Sequence, residues 1–220
     1  MGEAKRRKPQ DAALWLGYLD RIIACGEGIA ETARIKDDDA RVLAACLLAR
    51  SISTARAVVH LIGLGHVVEA RMLTRSIFEN GFCLYRLAQE DGDTFAREMF
   101  ADEAFYRRVR GQTMLEEEQA REAIGEEGQS RIRAIVKQWR QKTPNAAPLK
   151  PQKVISETEI SSASVIYQML SSDAAHPSIT ALRRHLVESK RTRGLSLKPR
   201  IKAGEAMKTA VLASIALLIV

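Results

Sequence analysis

Apolar residues recur at three- and four-residue steps along nearly the whole chain, a period that points to helices. The sharpest instance is the stripe Ala44, Leu48, Ile52, Ala55, Val59, Ile62, widened by Leu43, Leu47 and Val58. A stripe that broad marks a helix covered on several sides, hence a central one. No segment sustains the two-residue alternation of a half-buried strand. The expected fold class is therefore all-α, a single antiparallel helical bundle of about five to seven helices.

Punctuation along the sequence divides it. A first helix is expected over about 11–36, with Leu14, Leu16, Ile22, Ile23 and Ile29 as its apolar positions. Asp37, Asp38 and Asp39 suit the positive end of a second helix, and Gly63-Leu64-Gly65 offers the left-handed cap that ends it. A third helix follows over about 67–89, and the short Gly-rich turn predicts antiparallel packing of the two. A fourth, strongly charged helix runs over about 94–124, its apolar face carried by Phe95, Met99, Phe105 and Val109. Gly125 and Gly128 interrupt it before a short basic helix over 131–142 that bears Trp139. Pro144, Pro148 and Pro151 make residues 143–155 a Pro-rich connection within one domain. Beyond it the pattern gives a helix over about 157–175, another over 179–189, a basic loop over 190–202 and a last helix from about 203. Residues 1–220 are thus expected to form a single helical domain behind a basic tail at 1–10.

The three cysteines, Cys25, Cys46 and Cys83, are an odd number set in helical pattern. They suggest neither a disulfide framework nor a zinc site, and are expected to be small buried hydrophobes in a reducing, cytoplasmic setting. No metal and no cofactor is expected. The basic start leads into an amphipathic helix and not an apolar signal core. At the other end the apolar run 209–220 is shorter than the roughly 20 residues that cross a bilayer, so no membrane span is expected there. Its abrupt apolar finish reads as a last helix cut short.

The formal net charge of +7 is unevenly spread. Residues 1–60 carry 10 basic and 8 acidic side chains, residues 61–128 carry 8 and 14, and residues 129–220 carry 16 and 5. A split of this kind creates fields that steer an acidic partner: RNA or DNA, an anionic membrane, an acidic protein surface, or the acidic middle of a second copy in a homodimer. A solvated surface without a partner gives the same arithmetic.

Three constellations carry chemistry. Arg75 and Glu79 stand four apart on the third helix and share a face, flanked by Met72 and Phe82, which predicts a half-buried pair. Such a pair either fixes helix register or belongs to a site, because a buried charge is costly unless paired. Asp173 and His176 are three apart at a helix end. That spacing suits a shared metal, a general base tuned by a carboxylate, or a simple helix cap, and the further carboxylates of a dimetal bundle are missing. The third is a basic cluster in which Arg183, Arg184, Lys190, Arg191 and Arg193 are the candidate nucleic-acid or anion contacts. No aromatic interleaves it, so base stacking is not suggested.

The segments Val68-Glu-Ala-Arg-Met-Leu-Thr-Arg-Ser-Ile-Phe-Glu79 and Ser171-Ser-Asp-Ala-Ala-His-Pro-Ser178 resemble the two marker segments of the bacterial domain-of-unknown-function family 5677. The order is similar too: a helix ending in Gly, the Arg-Ser-x-x-Glu helix, a Trp-bearing linker near Trp139, then Tyr167 ahead of Ser-x-x-x-His. The resemblance covers most of residues 40–215. It implies an all-α domain, no established activity, and a last helix that continues. By looser analogy the bundle is similar to HEPN-type helical domains, several of which are RNases. Their marker, Arg followed after four to six residues by His, is absent; Arg56 and His60 have three residues between them.

Two functions follow as expectations. The first is a binding module that contacts nucleic acid or an acidic partner through its basic C-terminal third. The second is a metal-independent phosphodiester hydrolase with His176 as acid and base, Arg75 on phosphate, and Glu79 or Asp173 orienting.

Overall fold

The computed structural model describes residues 10–32, 39–156, 158–172, 179–188, 193–196, 199, 201 and 204–220. Helix α1 spans Gln10–Thr32, α2 Asp39–Gly63 and α3 Val67–Leu87. The α2–α3 turn is a closed cap. The amide of Gly65 donates to the Ile62 carbonyl at 3.0 Å and that of His66 to the Leu61 carbonyl at 2.8 Å. Gly65 adopts φ 82°, a left-handed conformation in which a Cβ is strained. The expected glycine stop and antiparallel packing follow from this turn.

Helix α9, Glu205–Ile219, completes the core by packing on α1, α2 and α3. Its buried side is mostly of small residues, Thr209, Ala210, Ala213, Ser214 and Ala216, with Leu217 among them, and small residues let neighbouring helices approach closely. The same core holds Leu19 and Ile23 from α1, Ala55 and Val58 from α2, and Ile77, Phe78 and Phe82 from α3. The α1 face is set differently from the sequence expectation: Leu19 is fully buried while Leu14 and Ile29 stand exposed. A polar contact crosses this region, the Asn80 amide donating to Ser51 Oγ at 3.1 Å while Ser51 donates to the Leu47 carbonyl.

By length and composition, residues Ala40–Gly63 of α2 could cross a membrane. That test is also met by core helices of soluble proteins and does not indicate a span. Here α2 packs on α3, α1, α9 and α4.

Helix α4, Gly92–Glu116, begins on the core, where Phe95, Ala96 and Ala104 are buried. Its partner α5, Glu118–Lys142, packs against α4 and buries a single residue, Val136. The two lie so close at Gly111 that a Cβ there would sit 2.6 Å from Val136 Cγ2. The expected break at 125–128 is a kink at Gly125 (φ 62°), and the chain makes a second break at Glu117, whose extended backbone ends α4.

The later segments depart most from the pattern. Residues 151–156 form a short helix, α6 (Pro151–Ser156), with Val154 and Ile155 buried. Among the described residues of the helix expected over 157–175 are a 3₁₀ turn at Ser161–Ala163 and, after it, α7, Ser164–Leu170. Helix α8 spans only Ile179–Arg183. The end of the helix expected over 179–189 and part of the expected loop over 190–202 form a hairpin instead, β1 (Leu186–Glu188) paired antiparallel with β2 (Arg193–Leu195) in the register Leu186↔Leu195 and Val187↔Gly194. Three residues a side is too short to leave a periodic trace. The architecture is all-α apart from this hairpin among the described residues.

Candidate functional site

Helix α3 carries Arg75 and Glu79 on one face, and α7 is laid against that face. Tyr167 of α7 is buried, its ring meeting Phe82 edge-on at 6.1 Å. Burying a phenol obliges its hydroxyl to find partners, and both are on α3. Tyr167 Oη donates to Glu79 Oε1 at 2.8 Å and accepts from Arg75 Nη2 at 2.7 Å. Arg75 Nη2 also reaches Glu79 Oε1 at 2.9 Å, closing a three-membered ring of contacts. Arg75 Nε donates to Ser171 Oγ at 2.7 Å, and Ser171 donates in turn to the Tyr167 carbonyl. The guanidinium carbon lies 4.9 Å from the Tyr167 ring centre.

The expected half-buried Arg75–Glu79 pair is present, with side-chain exposures of 22% and 30%. Sequence reasoning left Tyr167 and Ser171 without a role in it. The signal was available: Tyr167 and Ser171 are themselves four apart, so two i,i+4 pairs face each other across the α3–α7 contact.

The chemistry of the cluster is that of a latch. Burial, then the Glu79 hydrogen bond and charge, push the Tyr167 phenol above its usual value, so it stays a neutral donor at physiological pH. The Arg75 charge is answered by Glu79 and its donors are directed at Ser171, Tyr167 and Glu79. The arrangement ties the end of α7 to α3, and with it the start of the segment carrying Asp173 and His176. Those two candidate residues lie outside the described residues. Among the described residues no group of three His, Cys, Asp or Glu side chains is placed to hold a metal ion.

The basic candidates separate. Arg183, at the end of α8, is exposed. Arg184 is not a surface contact: it is 7% exposed and forms a bidentate pair with Glu205 at the start of α9, at 2.8 and 3.0 Å. Both side chains of the pair are buried, and removing one partner of such a pair costs about 3–5 kcal/mol. Lys190 and Arg191 lie outside the described residues, as does the side chain of Arg193, whose backbone forms part of β2.

The cysteines also differ from expectation. Cys25 on α1 and Cys46 on α2 are exposed, and only Cys83 is partly buried. Burial first, then the charges of Glu79 and Asp102, raises the Cys83 thiol from 9.0 to about 11.

A protein-family model described as a family of unknown function (DUF5677) matches residues 41–193. The match takes in α2 through α8 and both marker segments. No curated protein and no solved structure matches the chain.

Proposed function

The chain belongs to this family of unknown function, and from its side-chain geometry we propose that it is a binding module whose basic C-terminal third contacts an anionic partner, nucleic acid foremost. The observation that carries the reading is the buried Arg184–Glu205 pair. It fastens Arg184 to the start of α9, and the neighbouring Arg183 is exposed. A second basic stripe supports it: Arg133, Lys137 and Arg140 recur at four and three residues on α5, all exposed. Clustered cations release counterions when they neutralise phosphates, so binding should weaken steeply with salt.

The test is fluorescence anisotropy with a labelled single-stranded RNA and a labelled DNA duplex, titrated from about 50 to about 200 mM salt. Binding that weakens with salt, and weakens further in Arg183→Glu and Arg191→Glu, supports the reading. An absence of binding at the low-salt end removes it.

A second reading, phosphodiester hydrolysis by His176 with Arg75, Glu79 and Asp173, is favoured by one contact, the Arg75–Ser171 hydrogen bond two residues ahead of Asp173. RNA cleavage by the parent protein that disappears in His176→Ala supports it, and an inert parent removes it.

A further inference from the structure

Glu79 has a second side. Besides joining the Tyr167 latch it lines a cavity of about 480 Å³ bounded by α2, α3, α4 and the start of α6. That volume falls in the range of small-molecule sites, which run from about 300 to 1,000 Å³. The walls divide by chemistry. Phe82, Met99, Leu149 and Val154 give an apolar surface, and Phe100 adds an aromatic side chain. Glu79, Asp102 and Glu103 supply three carboxylates against one guanidinium, Arg50.

Each carboxylate is held by one oxygen. Glu79 Oε1 takes Arg75 and Tyr167, Asp102 Oδ1 accepts the Leu149 amide at 2.6 Å, and Glu103 Oε1 takes Arg107 and Arg110. The second oxygen of each has no partner among the described residues. Fixing one oxygen orients the carboxyl group and leaves the other as a directed acceptor, which is what recognition of an N–H donor requires. Burial first, and then the nearby charges of Glu79 and Asp102, hold the thiol of Cys83 on the same wall above its usual value.

We propose that this cavity binds an organic cation, a primary or secondary amine on an apolar body, with the hydrocarbon against Phe82, Met99 and Val154 and the ammonium toward Asp102 and Glu79. Asp102, whose described partner is an amide and not a cation, supplies the charge that selects the cation, and the apolar wall selects the body, with aromatic rings adding attraction for the charge. The site is independent of the basic surface proposed above: its residues lie on α2, α3, α4, α6 and the segment just ahead of α6, and its ligand has the opposite sign.

Isothermal titration of the full chain with phenethylamine, phenylacetate and 2-phenylethanol separates charge from body. The amine should bind at least about tenfold more tightly than either counterpart, a difference of about 1.4 kcal/mol. Asp102→Asn keeps an acceptor for the Leu149 amide and should cost roughly fivefold to tenfold in amine affinity, leaving the alcohol unchanged. Phenethylamine should also slow the labelling of Cys83 without slowing Cys25 or Cys46. Equal binding of the three probes, preference for phenylacetate (which would put Arg50 in command), or no binding of any of them overturns the proposal.

Discussion

Helices α3 and α5 are similar in length, 21 and 25 residues, yet they sit at opposite extremes of the molecule. Ten residues of α3 are buried, polar ones among them, and it packs against α2, α9, α4, α6 and α7. On α5 only Val136 is buried, its packing neighbour is α4, and Ile135 stands half exposed. Helical sequence alone therefore does not distinguish a core element from an arm. The difference is made by partners: α3 meets neighbours on most of its circumference, while α5 meets one. Among the described residues the latch and one wall of the cavity are built on α3, while the buried Arg184–Glu205 pair is fastened at the start of α9. The basic stripe of α5 depends instead on staying in water.

Truncation should expose the contrast most strongly. Phe78→Ala removes a fully buried ring from α3 and should destabilise the fold by about 3–5 kcal/mol in urea unfolding. Ile135→Ala on α5 should change it by no more than about 0.5 kcal/mol. Equal losses would mean that α5 is covered by a surface such as that of a second copy.

The latch should give an intermediate effect. Tyr167→Phe leaves the ring against Phe82 but deprives Arg75 and Glu79 of their shared hydroxyl, at a cost of about 1–2 kcal/mol. The pH dependence follows from the raised phenol. A folded-state value above the unfolded one of about 10 contributes stability that is complete below that pH and is lost as pH rises through the folded value. Wild type should therefore lose stability above about pH 10 more steeply than Tyr167→Phe, measured by thermal melts across that range. Superimposable alkaline profiles would show that the phenol is not held by Glu79.

The smallest effect belongs to the arm. Arg131 and Glu127 pair across one turn of α5 with side-chain exposures of 75% and 80%. Water and salt screen such a pair, and Arg131→Ala should shift the unfolding midpoint by an amount equivalent to less than about 0.5 kcal/mol. A loss comparable to that of Tyr167→Phe would place this pair inside an interface.

How legible all this was in the sequence varies with the length of the element. The α2 stripe, the Gly65 stop and the antiparallel α3 were readable because long helices repeat their pattern many times and glycine marks the turn. The Arg75–Glu79 face was readable because helical spacing places i and i+4 together. The partners across from it were not. Tyr167 and Ser171 lie 92 and 96 residues away from Arg75, and nothing local says that α7 will lie on that face. The hairpin and the six-residue α6 are too short to show a period. Arg184 looked like its exposed neighbours because adjacent arginines differ in sequence only by the side of the chain from which they project.

The sequence by itself determined that this chain is helical, where α2 and α3 meet at their glycine turn, and that its positive charge gathers in the last third. Those properties are local, set by backbone hydrogen bonding within a helix and by periodic burial. Only the tertiary structure decided which charges are neutralised and which are free to act. It buried Arg184 against Glu205, seated Tyr167 between Arg75 and Glu79, and turned three carboxylates toward one cavity. Burial sets the cost of an unanswered charge, and burial is a property of neighbours that chain order does not specify.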